Sequence, residues 1–473
     1  MSVVAGDGRG DRFQPAQAGL PGVEDVNRPG SRAGRSSRLA PPESSSQPTR
    51  TGGLWEQVLS GDNLVRALRR VERNKGAAGV DGITTEQFRG WLDEHWVEVR
   101  QALDAGRYKP QPVRRVEIPK PDGGVRLLGV PTVLDRLIQQ AIAQVLTPIF
   151  DPTFSESSYG FRPGRSAHQA VEAARGYVAD GYRWVVDVDL EKFFDRVNHD
   201  KLMHRVARKV DDKRLLRLVR AYIEAGVMAD GIRQPTAEGT PQGSPLSPLL
   251  SNIMLDDLDR ELERRGHRFV RYADDLRVFV RSERAAARVL DGVTAFVEGR
   301  LALKVNQDKS SITTAANAAL LGFGFYFLAG GRVRVRVTRK ALARCKQRVR
   351  MLTRRSWGVS MSHRLWKLNR FIAGWCAYFG FADNFSVFEE LDEWMRRRLR
   401  ACYWKQWKRW KTKRRNLMAL GMSERDASLW ALSSKGYWRI AGSAVLQRAL
   451  PNSHWHDLGL QGFTEHWHRR QAA

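Results

Sequence analysis

The chain has 473 residues, of which 42% are hydrophobic, and its 79 Lys and Arg against 51 Asp and Glu leave a formal net charge of +28. This length allows two or three domains with ordinary cores and excludes a small disulfide-stapled scaffold. The basic excess favours nucleic acid as the partner, because a polyanion neutralises the self-repulsion of the protein. A basic membrane-surface protein is the weaker alternative, since no apolar run of about 18 residues occurs.

The cysteines and the N-terminus indicate a protein that stays in the cytoplasm. Cys345, Cys376 and Cys402 are odd in number and far apart, which disfavours a disulfide framework and a paired-cysteine zinc site. Residues 1–53 lack the apolar stretch of a secretory signal and are rich in Gly, Pro, Ser and Arg. We expect this segment to be disordered and the protein to have no membrane partner.

Helical and β-rich patterns alternate from Leu54 onward. Helices are predicted at 84–103, 135–146 and 168–179, and strands at 114–118, 125–129, 184–190, 267–272 and 276–280. Beyond Arg332 the chain becomes mostly helical, basic and rich in Trp, with helices predicted at 340–353 and 389–415. This order predicts an α+β core that is followed by a helical domain.

Two predicted strand ends carry carboxylates. Asp187 and Asp189 alternate with Val and therefore share one face of a strand. Asp274 and Asp275 lie at the turn between two apolar runs, where adjacent like charges repel unless a divalent cation faces them. A solvated hairpin turn is the alternative, which the core-like flanks disfavour. Three such carboxylates suit two Mg²⁺ ions about 4 Å apart, and hence nucleotidyl transfer to a primer 3′-hydroxyl.

These strand ends resemble the active-site motifs of reverse transcriptases. Tyr272-Ala-Asp-Asp275 is similar to the catalytic turn, and Asp189-Leu-Glu-Lys-Phe-Phe-Asp195 to its partner strand. Further motifs follow the order seen in proteins encoded by group II introns: Asn74 to Gly82, Ile118 to Arg126, Tyr159-Gly-Phe-Arg-Pro163, Gly239 to Pro248, Asn306 to Lys309 and Leu321-Gly-Phe323. The resemblance covers roughly residues 54–440.

The resemblance implies an α+β right-hand polymerase followed by an α-helical thumb and maturase domain. The expected divisions are fingers at 54–180, palm at 181–330, thumb and maturase (X) domain at 331–440, and a short basic tail at 441–473. The implied activity copies intron RNA into DNA from a DNA primer during retrohoming and assists splicing. No paired-cysteine or His-Asn-His-like pattern follows residue 440, which predicts a form without an endonuclease and leaves His454, His456, His466 and His468 as surface residues.

The same resemblance assigns roles to individual residues. Asp189, Asp274 and Asp275 are implied to be catalytic and to bind two Mg²⁺ ions, with Mn²⁺ as an alternative, together with the backbone carbonyl of Leu190. Asp187 is a second choice. The implied nucleotide-binding residues are Lys120, Arg126, Phe194, Gln242 and Lys309.

One of these assignments keeps a second interpretation, and the resemblance points to two further residues. Phe194 corresponds to the aromatic gate that faces the sugar 2′ position, although plain core packing explains a phenylalanine equally well. Gly243 permits close approach of the primer–template or is a simple loop glycine. Arg162 is a weaker candidate for contact with template or nucleotide.

The run at 394–415 interleaves aromatic and cationic side chains at helical spacing. We expect the aromatic residues to pack against neighbouring helices and the cations to pair with RNA phosphates. The predicted RNA-binding residues are Arg396, Arg397, Arg400, Lys405, Lys408, Arg409 and Lys411. For any single residue, a core Trp or a solvated cation is the alternative. The expected partners are group II intron RNA, a DNA target or primer, and dNTPs.

Two other functions compete with this prediction. A splicing factor that keeps the polymerase fold without its chemistry is disfavoured by the intact Asp189, Asp274 and Asp275. A reverse transcriptase of the retron, diversity-generating or defence-associated kind is disfavoured by the basic, maturase-like C-terminal region.

Overall fold

The computed structural model of the chain describes residues 53–119, 125–225, 227–229, 232–234 and 243–472. The predicted disordered segment up to residue 52 lies outside these ranges, as do Lys120 and Gln242. Arg126 lies in a described strand, but its side chain is outside the description. Within the described ranges, no helix combines the length and apolarity that crossing a bilayer requires.

The first part of the chain packs around one long, buried helix. This helix, α4 (Val133–Phe150), is apolar on nearly all sides and begins at Thr132, whose hydroxyl accepts a hydrogen bond from the Asp135 amide. Its helical neighbours are α1 (Leu54–Val58), α2 (Gly61–Arg73) and α3 (Phe88–Asp104). Because α4 buries side chains all round, it joins the N-terminal helices to the rest of the core.

A four-stranded sheet extends from this helical layer. Its strands are β1 (Val113–Pro119), β2 (Val125–Val130), β4 (Val227–Ala229) and β5 (Ile232–Gln234), in the order β2-β1-β4-β5. The strands β1 and β2 pair in antiparallel register, which confirms the strands predicted at 114–118 and 125–129.

The central sheet carries the predicted acidic motifs. Its strands are β3 (Trp184–Val188), β6 (Arg268–Tyr272), β7 (Asp275–Val280) and β8 (Ser311–Thr314), in the antiparallel order β6-β7-β3-β8. Val186 and Val278 belong to the main core, whereas Val185 and Phe279 belong to a core on the opposite face. Because the sheet is covered on both faces, its strands have near-continuous apolar sequences.

Helices cover both faces of the central sheet. They are α5 (Ala167–Ala179), α6 (Phe193–Arg196), α7 (His199–Ala207), α8 (Lys213–Glu224), α9 (Ser247–Arg264) and α10 (Glu283–Phe296), which a π-helical turn continues to Leu301. The expected α+β class is therefore confirmed for this part of the chain.

A small sheet corrects the predicted palm boundary at residue 330. The strands β9 (Ala319–Leu320), β10 (Phe323–Phe327) and β11 (Val333–Val337) form one antiparallel sheet, so residue 330 falls inside the β10–β11 hairpin. The helical region begins instead at Thr338, which caps the next helix. The alternating Val and Arg of β11 are a strand pattern that the overall basic composition concealed.

The C-terminal region is helical, as predicted. Its helices are α11 (Arg339–Leu352), α12 (Met361–Phe379), α13 (Ser386–Gln406), α14 (Trp410–Ala419), α15 (Glu424–Ala431), α16 (Tyr437–Ala441), α17 (Ala444–Ala449), α18 (Asn452–Asp457) and α19 (Phe463–Gln471). The prediction of a single helix at 389–415 is wrong. One helix ends at Gln406 and the next begins at Trp410, and between them the side chain of Trp407 is buried in the core.

The prediction of a basic tail at 441–473 is also wrong. Leu446, Trp455 and Phe463 are buried in the same core as α12 and α13. The buried Asp392 of α13 accepts hydrogen bonds from the amides of Phe463 and Thr464 at 2.8 and 3.0 Å, which caps the start of α19. These last helices therefore complete the helical domain.

Candidate active site

The turn between β6 and β7 is tight and strained. Tyr272 pairs with Asp275, so only Ala273 and Asp274 form the turn. Ala273 has a φ of 59°, a left-handed conformation that a residue with a Cβ adopts only at a cost. Strain of this kind persists where surrounding contacts enforce it, as at functional sites. The turn presents the half-buried Asp274 and the exposed Asp275 at one end of the central sheet.

Strand register brings Asp189 to the same end of the sheet. The last pair between β3 and β7 joins Val188 to Leu276, and the next residues in each direction are Asp189 and Asp275. Directly opposed residues of antiparallel strands have Cβ atoms about 4.5–5.5 Å apart. The register thus puts Asp189 at the same end of the sheet as the turn that carries Asp274 and Asp275, although the two segments are far apart in sequence.

Asp187 differs from Asp189 in having a fixed cationic partner. The Arg277 guanidinium lies 2.6 Å from the Asp187 carboxylate across the β3–β7 pair. Burial nevertheless raises the pKa of Asp187 to about 6, and the negative charges of Asp275 and Asp189 act in the same direction, against Arg277. Asp187 is therefore a buried carboxyl group that Arg277 engages, beside the two acidic residues Asp189 and Asp275.

A loop from residue 304 to 310 holds Asp189 in place. The Asp189 amide donates to the Ser310 hydroxyl at 3.1 Å, and the Asn306 amide donates to the Asp189 carbonyl at 2.8 Å. Lys309 Nζ lies 3.9 Å from the Asp189 carboxylate and is largely exposed. Leu190, whose carbonyl is a predicted metal ligand, forms a β-bridge with Val305. The geometry thus brings Lys309 and Leu190 to the predicted site.

A buried network supports the strained turn from behind. Arg271 on β6 is fully buried and donates to both oxygens of Asp259 on α9, at 2.7 and 2.5 Å. Its remaining terminal nitrogen donates to the Ala273 carbonyl and to the Asn252 side chain, each at 2.9 Å. Asn252 in turn donates to the Gly160 carbonyl. One guanidinium thus fixes the turn carbonyl to α9, a role that the sequence analysis missed.

The motif Tyr159-Gly-Phe-Arg-Pro163 lies directly against this turn. A Cβ on Gly160 would stand 2.2 Å from the Ala273 amide nitrogen, so only glycine allows this approach. Phe161 has a φ of 58° and is 52% exposed, with its ring 6.3 Å from that of Tyr272. An exposed aromatic residue held in a strained conformation beside the acidic turn is a candidate substrate contact. Phe161 lies within a motif of the sequence, but only its neighbour Arg162 is predicted from the sequence to contact a template or nucleotide.

The structure contradicts the role predicted for that neighbour, Arg162. Its side chain is only 4% exposed, and its guanidinium pairs with the Asp151 carboxylate at 2.8 Å. The same group donates to the carbonyls of Ser155 and Ser158. Arg162 therefore holds its own loop together, and contact with a template or nucleotide is contradicted.

The remaining nucleotide-site predictions have mixed outcomes. Phe194 follows Asp189 on the short helix α6, where it is half-buried, packs against the main core and meets Phe193 edge to face at 5.1 Å. Gly243 has a φ of 105°, and a Cβ added to it would stand 3.0 Å from the Gly129 carbonyl of β2, so both the conformation and the space favour glycine. Lys120, Gln242 and the Arg126 side chain lie outside the described residues.

The donor set of the acidic site fits magnesium. Hard carboxylate oxygens are its preferred protein ligands, and Mg²⁺ commonly uses one or two carboxylates with water and substrate phosphates rather than an all-protein cage. In the described ranges, no three His, Cys, Asp or Glu side chains are grouped so that they alone could hold a metal ion, so water and substrate phosphates would have to supply further ligands. The convergent negative charge of Asp189 and Asp275, which helps to raise the pKa of Asp187, is the feature that a cation would relieve.

The predicted RNA-binding residues of the helical domain fall into three groups. Lys405, Lys408, Arg409 and Lys411 are exposed. Arg396 and Arg397 are half-buried, and Arg397 stacks on Trp438 at 4.2 Å. The prediction that Arg400 binds RNA is wrong, because its side chain is buried and donates a hydrogen bond to the Leu450 carbonyl at 3.2 Å. Burial also lowers the pKa of Arg400 to about 10. Helical phase puts Arg400 on the inner face of α13, which composition alone conceals.

The aromatic residues of this region also divide by burial. Trp404 and Trp407 are in the core, as predicted, whereas Trp410 is 46% exposed. The sequence analysis missed Trp366 on α12, which is 49% exposed and has Lys367 and Arg370 over its ring at 4.8 and 5.1 Å. The repeated pairing of Trp with cations on one helix face was the available signal.

Comparisons with known proteins agree with this geometry. The reverse transcriptase (RNA-dependent DNA polymerase) family matches residues 118–325, which include all three acidic residues of the site. The maturase-specific domain of group II introns matches residues 342–421. The expected fold, a right-hand polymerase followed by a helical domain, is confirmed by these two matches and by the order of the elements.

Individual relatives cover different shares of the chain. Protein YkfC of Escherichia coli (strain K12) is 32% identical over 355 residues, which are 67% of this chain and 91% of that protein. The group II intron-encoded protein LtrA of Lactococcus lactis subsp. cremoris is 37% identical over 208 residues, 44% of this chain and 34% of LtrA. A partial Cas6-RT-Cas1–Cas2 complex shares 27% identity over 56% of this chain and 46% of its own, with a TM-score of 0.35.

The chain thus spans most of one relative and about a third of the other. The two family matches follow one another along the chain in the order of its α+β core and its helical domain. The chain belongs to the family of group II intron-encoded reverse transcriptases that carry a maturase domain.

Proposed function

We propose that this protein is an RNA-directed DNA polymerase that copies intron RNA from a DNA primer and also binds that RNA to assist its splicing. The observation that carries the polymerase proposal is the convergence of Asp189, Asp274 and Asp275 at one end of the central sheet. The maturase proposal rests on the match at residues 342–421 and on the exposed cations of that domain.

In the proposed mechanism, the carboxylates of Asp189, Asp274 and Asp275, with the Leu190 carbonyl, would hold two Mg²⁺ ions, with Mn²⁺ as an alternative. When bound, such ions activate a hydroxyl nucleophile and stabilise the leaving pyrophosphate. The Ala273 turn and the Arg271 network keep Asp274 and Asp275 at fixed positions, so that little reorganisation is needed during the reaction. The primer 3′-hydroxyl gives its proton to solvent, its oxygen forms a bond to the α-phosphorus of the dNTP, and the bond from that phosphorus to the bridging α–β oxygen breaks to release pyrophosphate.

Substrate selection is proposed for residues beside the triad. Lys309, 3.9 Å from Asp189, is placed to approach triphosphate oxygens once the carboxylate is engaged elsewhere. Phe194 lies five residues beyond Asp189 and would exclude a 2′-hydroxyl by contact with the sugar. Lys120, Arg126 and Gln242 complete the proposed nucleotide site. Phe161 is the proposed aromatic contact to the template or the incoming base, since bases stack on exposed rings.

Primer extension on poly(rA) with oligo(dT), dTTP and Mg²⁺ tests the polymerase proposal. Asp189→Asn should lower the rate by about 10²-fold or more, because a group that acts on the transition-state charge is lost. Asp187→Asn is the matched control on the same strand and should stay within about tenfold of wild type, since its carboxylate already pairs with Arg277. An active Asp189→Asn enzyme beside an inactive Asp187→Asn enzyme would reverse the assignment.

A further inference from the structure

The back of the palm carries a groove in which three arginines lack acidic partners in the described part of the chain, whereas a fourth, Arg265, pairs with Glu261 at 2.6 Å. This groove, called here the palm groove, has a volume of about 550 Å³ and is formed by the outer ends of β6 and β7 and by α10. Its charged lining consists of Arg265, His267, Arg268, Arg281 and Arg288, and it includes no Asp or Glu. Within the described ranges, Arg268, Arg281 and Arg288 are exposed and form no ion pair with a carboxylate.

A second groove shows that this composition is not a general feature of the surface. That groove, of about 690 Å³, is also rich in arginine but is lined by three carboxylates. Arg208 pairs there with Asp257 at 3.0 Å, and Arg264 pairs with Glu261 at 2.8 Å. Carboxylates of the protein therefore neutralise much of the positive charge of this groove. In the palm groove, Arg268, Arg281 and Arg288 can be neutralised by a bound anion.

The palm groove also offers surfaces for a nucleobase. The Arg281 guanidinium lies over the ring of Tyr182 at 4.6 Å, which leaves a planar, cationic stack at the rim. The proximity of Arg281, and next of Arg268, holds the pKa of Tyr182 below its usual range. Phe279 and Val289 contribute apolar atoms to the lining. Aromatic and guanidinium planes beside cations are the combination with which proteins bind unpaired nucleotides.

The palm groove is separate from the active site. Arg268 begins β6, and the acidic turn follows the other end of that strand at Tyr272. Four residue steps along a strand span about 13 Å. Neither Asp274 nor Asp275 lines the groove, and its residues are also distant in sequence from the maturase-domain match at 342–421.

We infer that the palm groove is an additional RNA-binding site, in which Arg268, Arg281 and Arg288 contact phosphates of a single-stranded segment and Tyr182 faces an unpaired base. The inference rests on the proposed function, which supplies RNA as the partner. Its role is to hold a single-stranded segment of intron RNA on the palm surface, away from the reacting nucleotide and from the template in the polymerase cleft.

The test compares two full-length variants that lose the same charge. The groove variant is Arg268→Gln/Arg281→Gln/Arg288→Gln, and the matched control is Arg208→Gln/Arg260→Gln/Arg264→Gln in the acid-balanced groove. Binding of a short fluorescein-labelled single-stranded RNA is measured by anisotropy at several KCl concentrations. Excess unlabelled RNA–DNA primer–template occupies the polymerase cleft. Circular dichroism melting checks that both variants are folded.

The groove variant should bind the labelled RNA about tenfold more weakly than wild type, and its log–log salt slope should be smaller by about 2, since three phosphate contacts on a single strand are lost. The control should stay within about twofold, because its arginines are engaged with carboxylates. Primer extension should be unchanged in both. A single-stranded DNA of the same sequence serves as a second probe, and a defect confined to that DNA would overturn the assignment to RNA.

Equal RNA binding by the groove variant and the control would overturn the groove site while leaving the proposed function intact. A wild-type chain that extends a primer but does not bind the single-stranded probe would contradict only the groove site. A folded wild-type chain that neither extends a primer nor binds the probe would contradict the proposed function as well.

Discussion

Arg271 and Asp259 form an ion pair whose side chains are 1% and 0% exposed, and the same guanidinium donates to the carbonyl of the strained Ala273 turn. A buried ion pair contributes little to stability compared with apolar residues, but losing one partner leaves an uncompensated buried charge. The ion pair is therefore better explained by its fixing the position of the acidic turn than by a contribution to the free energy of unfolding. It connects α9, which is in the core, to the carbonyl that precedes Asp274.

Replacing Arg271 by Lys should impair catalysis beyond its effect on stability. Lysine keeps the charge but loses the forked contact with Asp259 and the bond to Ala273. We expect the kcat of primer extension to fall by about 10- to 100-fold, because a displacement of catalytic groups by about 1 Å has costs of this size. The measurement is steady-state extension at a temperature well below the melting transition.

The matched control for Arg271 is Arg162→Lys, which alters another buried arginine of the same region. Its guanidinium binds Asp151 and carbonyls of its own loop and does not reach the acidic turn. Both variants should melt earlier than wild type. If kcat falls equally in both, Arg271 acts through general stability and its positioning role is excluded.

Phe161 should matter for substrate and not for folding. Phe161→Gly removes an exposed ring and relieves a left-handed conformation that costs about 1–2 kcal/mol, so the melting temperature should be unchanged or higher. The KM for primer–template should rise by about 5- to 10-fold, since a base–aromatic stack contributes about 1–3 kcal/mol. A lower melting temperature with an unchanged KM would show that the ring serves packing alone.

Variants of Arg400 should lower the stability of the fold, whereas variants of the exposed cations Lys408 and Arg409 should weaken RNA binding. Arg400→Ala removes a buried guanidinium and its bond to the Leu450 carbonyl, so the free energy of unfolding should fall by about 1–3 kcal/mol. Lys408→Ala/Arg409→Ala alters exposed residues and should leave melting unchanged, while the salt slope of binding to structured RNA decreases by about 1–2. The opposite pattern would restore the original prediction for Arg400.

The contact between α5 and the helical domain should weaken in acid. His168 of α5 lies 2.7 Å from the Tyr378 carbonyl through Nε2, and Arg470 of α19 approaches its other nitrogen at 3.4 Å. Burial lowers the pKa of His168, and the nearby Arg470 charge lowers it further against the Tyr378 hydrogen bond. Because the folded pKa lies below the unfolded one, the stability contribution is complete above the unfolded value and is lost as pH falls.

The melting temperature should therefore fall more steeply between about pH 7.5 and 5.5 for wild type than for His168→Gln, since the unfolded pKa of histidine is about 6.5. The difference between the two curves isolates His168 from other titrating groups. Parallel curves would show that the imidazole is not held in its neutral form by the fold.

The sequence alone predicts the parts of this protein that local pattern determines. The strands of Trp184–Val188 and Asp275–Val280 have apolar patterns that burial on both faces requires, and the acidic residues at their ends stand out chemically. The convergence of Asp189 with Asp275 depends on register between distant segments, and only the motif order pointed to it. The basic, Trp-rich composition beyond Arg332 likewise predicts a helical region without knowledge of its packing.

What the sequence does not predict depends on contacts between distant elements. Arg162, Arg271 and Arg400 look like any other cations in a chain with 79 of them, yet each is buried by partners from other segments. The left-handed conformation of Phe161 depends on the approach of Gly160 to Ala273. The break before Trp410 and the packing of the last helices likewise depend on the core of the helical domain.

The most direct test of the account is a paired assay on wild type and Asp274→Ala/Asp275→Ala. Each protein is assayed for primer extension on poly(rA)–oligo(dT) with dTTP and Mg²⁺, and for support of intron splicing at low Mg²⁺. The account predicts DNA synthesis by wild type alone and splicing support by both, because the acidic turn and the maturase domain are separate parts of the fold. A folded wild-type protein that supports splicing but makes no DNA would contradict the polymerase claim.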